Sequence, residues 1–112
     1  MKPDKEAVWR RAQDLLPWLI EVRRDFHQYP ELGMEEFRTR DQIIRYLEEM
    51  GIPYQVVAGT GVVGLIQGAG PGATVALRGD IDALPIEEEN DVPYRSRHAG
   101  KMHACGHDTH KK

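Results

Sequence analysis

Apolar residues recur early in the chain at steps of three and four: Val8, Ala12, Leu15, Leu16, Leu19, Val22 and Phe26. That spacing lines them up on one stripe and predicts a helix over residues 4–29. Pro17 falls inside the pattern, where its missing N–H predicts a kink or a fresh start. Pro30 and Gly33 then mark a turn. A second stripe of Phe37, Ile43, Ile44, Leu47 and Met50 predicts a helix over 34–50, with Gly51 as a left-handed cap and Pro53 barring continuation. Beyond it the period changes. Residues 54–57, 62–67 and 74–77 are short runs rich in β-branched side chains, separated by GTG and GAGPG turns, and they predict three strands. No helical pattern follows GAGPG, so it reads as a turn and not as a phosphate cradle. The third run is almost wholly apolar and is expected to be buried on both faces. Helices followed by strands indicate a layered α/β architecture, in which ligand sites gather at the carboxyl ends of strands.

Composition narrows the classes. The 112 residues suit one small domain, with 40% hydrophobic and 29% charged residues and a net charge of -3. That balance gives no reason to expect nucleic acid or an anionic membrane as partner. No apolar run approaches the ~18 residues a membrane helix needs, and the amino terminus is charged where a secretory signal would be apolar. A cytoplasmic location is expected, and the single cysteine, Cys105, suits a reducing compartment.

The chemistry lies towards the end of the chain. MHACGHDTH, residues 102–110, places His103, Cys105, His107, Asp108 and His110 close together. Thiolate, imidazole and carboxylate are the donors that bind borderline divalent metals. Gly106, between Cys105 and His107, adds backbone freedom for both to reach one ion. Composition alone leaves a metal site and an inert tail about equally open, since a lone cysteine is usually a small hydrophobe; the irregular order of the residues argues against a purification tag. LRGDIDALP, residues 77–85, follows the third predicted strand. Asp80 and Asp82, at i and i+2, share one side of an extended segment, where they can bind a metal or orient a metal-bound histidine. A solvated Gly-Asp turn is the plainer reading, but two such clusters in one short domain favour a shared site. In RRDFHQYPELGMEE, residues 23–36, His27 reads as a hydrogen-bonded histidine at a helix end. Glu87, Glu88 and Glu89 read as a solvated acidic face.

Together these three segments resemble the amidohydrolase branch of the M20 metallopeptidase family, which includes aminoacylase-like enzymes, hippurate hydrolases and auxin-conjugate hydrolases. The likeness is closest from Arg23 to His110. It implies the amino-terminal part of an α/β/α sandwich of the zinc-peptidase type: two helices, then three or more strands of a mixed sheet. It implies Cys105 and His107 as metal ligands, with Asp108, His103 and His110 in the same motif as ligands or supports. Asp80 takes the position where other branches carry a metal-binding histidine, and Asp82 matches the carboxylate that orients the site.

The implied reaction is hydrolysis of N-acyl amino acids or small peptide-like amides. It depends on a divalent metal, two per complete site, drawn from zinc, manganese, cobalt or nickel. The family's general-base glutamate, its remaining ligands and its lid or dimerisation domain lie beyond the segments matched here. Residues 1–112 are therefore expected to be one portion of a catalytic domain, inactive alone and prone to self-association through an open sheet edge. A metal-binding module without catalysis, and one half of a split enzyme completed by a partner chain, are the competing expectations.

Overall fold

A computed structural model of the chain describes residues 4–110, the side chains of His107 and His110 excepted. The order of elements is α1 (Lys5–Gln28), α2 (Phe37–Glu49), β1 (Tyr54–Val57), β2 (Gly61–Gly64) and a single turn, α3 (His107–His110).

α1 begins where the Asp4 carboxylate accepts the Glu6 N–H at 3.0 Å, satisfying one of the free donors of the first turn. The helix runs through Pro17 as one element, so no new helix starts there. The residues around Pro17 are mostly exposed, a setting in which water can take the hydrogen bond that a proline leaves unmade. The apolar stripe is buried only in the second half of the helix, at Val22 and Phe26. Val8, Leu15 and Leu16 are exposed, because no other described element packs on that end.

α2 starts three residues later than the pattern predicts. Met34 sits at φ 67, outside helical geometry, and the Glu35 N–H closes a turn onto the Leu32 carbonyl at 3.0 Å. The free N–H groups of the first turn are met from upstream: the Glu31 carboxylate accepts from Arg38 N at 3.0 Å, Thr39 N at 2.6 Å and Thr39 Oγ1 at 2.8 Å. A negative group at this end also suits the helix dipole. Gly51 ends the helix at φ 68, as its sequence position predicts.

β1 and β2 form an antiparallel pair in the register Tyr54↔Gly64 to Val57↔Gly61. The expected second strand is shorter than its apolar run, and the expected third strand is absent among the described residues. Residues 74–77 bond to neither strand, and Val75 and Leu77 are 82% and 97% exposed where burial on both faces was expected. β-branched composition supplies propensity, but a strand needs a neighbouring ladder to satisfy its backbone. The architecture remains α/β, two helices leading into an antiparallel pair. No helix of the described residues is long and apolar enough to cross a membrane.

The interior lies where the end of α1, the turn after it and residues 83–108 meet. Val22, Phe26 and Ala83 are its buried apolar residues, against buried His27, Glu36, Thr39, Thr60, Glu88, His103 and Asp108. Ionic and hydrogen-bonded contacts therefore hold this centre as much as apolar packing does, and each buried polar group must keep its partners.

Candidate functional site

The three segments singled out in the sequence converge through their backbones. Ala83 N–H donates to the Glu31 carbonyl at 2.8 Å, so LRGDIDALP runs beside the PELG turn. Leu84 and Met102 exchange N–H···O bonds of 2.9 and 3.0 Å, so MHACGHD lies along the other side of the same stretch. Leu32↔Ala83 is a parallel bridge and Leu84↔Met102 an antiparallel one. Residues 83–84 are thus the middle of a small three-segment junction, and Ala83 is small enough to be buried at its centre. A further tie comes from Arg97 N–H, which donates to the Gln28 carbonyl at 2.8 Å.

Beneath that junction lies a buried ionic cluster. His27, in the last turn of α1, is 7% exposed. Its Nδ1 is 3.2 Å from Asp108 Oδ2, and its Nε2 is 3.0 and 3.1 Å from the two Glu88 oxygens. Arg23, one turn earlier on the same helix face, donates from Nε to Asp108 Oδ2 at 3.0 Å. Glu88 accepts further bonds from Ser96 N–H at 2.6 Å and Asn90 Nδ2 at 3.3 Å. Tyr94 meets the imidazole edge-on, with 5.9 Å between ring centroids, and carries Arg24 over its face at 4.4 Å.

The charges explain one another. Both ring nitrogens of His27 face carboxylates, and a neutral imidazole has only one N–H to give. The arrangement is complete with an imidazolium, and the His27 pKa is raised: the Asp108 hydrogen bond is the main cause, opposed by burial and assisted by Glu88. Burial pushes the Glu88 carboxyl up, but the bonds from Ser96, His27 and Asn90 together hold it below its ordinary value. Two cations and two carboxylates leave the cluster neutral, which makes its burial tolerable.

His27 is therefore the hydrogen-bonded histidine at a helix end that its position predicts. The acidic run departs from expectation. Glu87 and Glu89 are exposed, with Glu87 accepting from the Gly100 N–H, but Glu88 is 3% exposed. The signal that could have found it lies outside the run, in a buried basic partner 61 residues upstream that a composition reading does not pair with it.

The remaining candidates divide by place. Asp80 and Asp82 line one open cleft with Gly33, Glu36, Val62 and Arg78, and Arg78 Nη2 donates to Asp80 Oδ1 at 2.9 Å. His103 is buried beside the junction. Cys105 is a free, exposed thiol. Asp108 is 4% exposed and turns its carboxylate to Arg23 and His27. The side chains of His107 and His110 lie outside the described residues. Among the described residues, no group of three or more His, Cys, Asp or Glu lies close enough to hold a metal ion. Cys105 is of a donor type that suits a divalent metal.

What the fold and junction define is one portion of an α/β domain that brings a Cys/His/Asp segment against its first helix. Residues 76–112 match the family model for peptidase family M20/M25/M40. The chain is 55% identical over 93 residues to the N-acetyl-L-cysteine deacetylase of Bacillus subtilis, covering 82% of this chain and 22% of that protein. It is 46% identical over 107 residues to thermostable carboxypeptidase 1 of Saccharolobus solfataricus, covering 94% and 27%. Among solved structures it resembles the Bacillus subtilis YXEP protein, a dinuclear metal-binding peptidase of the M20 family, with TM-score 0.83 and 44% identity, covering 88% of this chain and 28% of that one. The chain belongs to the M20 peptidase family. It spans about a quarter of the length of the relatives it matches.

Proposed function

We propose that this chain forms the first part of the active site of a metal-dependent amidohydrolase acting on N-acyl amino acids or small peptide-like amides. The observation that carries the reading is the junction itself. The three segments that resemble the family's pattern are bonded side by side, with the candidate ligand segment set on α1 through Asp108. Relatives that are deacetylases and a carboxypeptidase, and a neighbour that binds two metals, support the same reaction class.

In this reading Cys105 and His107 are metal ligands. Asp80 and Asp82 supply carboxylates from the neighbouring cleft, Asp82 as an orienting group. His103 and His110 flank the ligands as supports. The chemistry a divalent metal supplies in such enzymes is polarisation of the amide carbonyl. No glutamate of residues 1–112 is assigned as the general base. The purified chain is therefore expected to release no amine from N-acyl amino acids, and metal-dependent turnover by it would refute that.

A chimera tests the function directly. Residues 1–112 replace the matching segment of the Bacillus subtilis N-acetyl-L-cysteine deacetylase, and release of cysteine from N-acetyl-L-cysteine is followed. The chimera is expected to turn over, to lose activity to a chelator, and to lose it again with Cys105→Ser. A folded, metal-loaded chimera without turnover would defeat the reading.

A further inference from the structure

We infer that His27 and Arg23 are positioning residues that anchor the candidate ligand segment through Asp108, and that Asp108 is a support and not itself a ligand. The anchor rests on the proposed function only in calling Cys105 and His107 ligands; the geometry stands apart from it. Asp108 lies 81 residues from His27 in sequence, yet its Oδ2 takes a bond from two cations of α1, His27 at 3.2 Å and Arg23 at 3.0 Å. A carboxylate oxygen engaged by two charged donors and closed off from solvent is poorly placed to serve a metal as well. Three residues earlier, Cys105 is exposed. The Asp108 and Thr109 N–H groups bond back to the Cys105 and Gly106 carbonyls at 3.2 and 3.1 Å. Fixing the Asp108 side chain therefore fixes the turn on which Cys105 and Gly106 sit.

Glu88 completes the device from the far side of the ring. It holds Nε2 while Asp108 holds Nδ1, so the imidazole cannot rotate without losing both bonds. Groups that bond directly to a ligand and set its direction typically weaken metal binding about 10–100-fold when lost; this cluster acts one step further back, through the backbone turn that Asp108 closes onto Cys105.

The two nitrogens can be tested apart. His27→Asn keeps an amide donor near the Nδ1 position, and His27→Gln keeps one near Nε2. Hydrogen exchange of residues 103–109 in the full chain is the readout, with Val22→Ala as a control that weakens α1 packing without touching the cluster. His27→Gln is expected to speed exchange at Asp108 and Thr109 by roughly tenfold or more, the effect of losing one hydrogen bond to a charged group. His27→Asn, which keeps the bond to Asp108 and loses the one to Glu88, is expected to speed exchange there less than His27→Gln does, and Val22→Ala to show no selective change there. Equal exchange in the Asn and Gln variants, or no change in Gln, would overturn the anchor. If neither variant folds, Arg23→Gln, at a more exposed side chain, must raise exchange in the same stretch, and no rise overturns it.

A Co²⁺ titration adds the ligand question. Asp108→Asn is expected to weaken binding with the ligand-field spectrum unchanged; an altered spectrum would make Asp108 a ligand and overturn that half of the inference. Wild-type protein that takes up no Co²⁺ would defeat the metal reading of the proposed function, and the exchange data would still judge the anchor.

Discussion

Glu88→Ala is the sharpest perturbation of this interior. Glu88 accepts from His27 Nε2, from Ser96 N–H at 2.6 Å and from Asn90 Nδ2, all at a position with 3% exposure. Truncation leaves the Ser96 amide without that acceptor and strips His27 of one of its two carboxylates. Removing one partner of a buried ion pair typically costs about 3–5 kcal/mol, and the orphaned amide alone accounts for about 1–3 kcal/mol. A loss of roughly 3–5 kcal/mol is therefore expected, which lowers the urea midpoint by about 2 M at slopes usual for small domains. The assay is urea unfolding followed by circular dichroism near pH 6, where His27 is charged. Glu88→Gln keeps one acceptor oxygen and is expected to lose less. A loss under ~1 kcal/mol for Glu88→Ala would refute the reasoning, because it would mean that Glu88 is solvated and not the buried partner of His27.

Two further outcomes follow from the same interior. Phe26→Ala removes a fully buried ring that meets Tyr46 edge-on at 6.5 Å; it is expected to cost about 3–5 kcal/mol, read as a fall in thermal midpoint. The pH dependence has a worked sign: the raised His27 pKa contributes stability that is fully present below its ordinary 6.5 and lost as pH rises through the folded value. The lowered Glu88 pKa contributes stability present above its ordinary 4.5 and lost as pH falls through the folded value. Stability should therefore peak between the two and decline on both sides, and His27→Gln should flatten the alkaline limb; a wild-type midpoint that climbs steadily from pH 6 to 9 would contradict this.

The helices were legible because a 3.6-residue period is written in single side chains: Val22 and Phe26 in α1, Ile43 and Leu47 in α2, with Gly51 as the stop. The Glu31 clamp that starts α2 was not legible, since it reaches across the turn to Arg38 and Thr39. Residues 74–77 carried the composition of a strand but found no ladder among the described residues, and pairing is a property of the neighbour as much as of the segment. The candidate site was legible as three motifs. Their meeting at Ala83 and Leu84 was not, because it rests on backbone bonds that any residue can make. Glu88 was hidden for a related reason: nothing in its own run distinguishes it from Glu87 and Glu89, and its burial is decided by His27.

The most direct test of the central claim is a Co²⁺ titration of the full chain, watching for thiolate-to-cobalt charge-transfer absorption. A saturable band is expected in the wild type, with its disappearance in Cys105→Ser and slower alkylation of Cys105 once metal is bound. No band, together with an alkylation rate that metal leaves unchanged, would contradict the claim that this chain carries part of a metal-dependent active site.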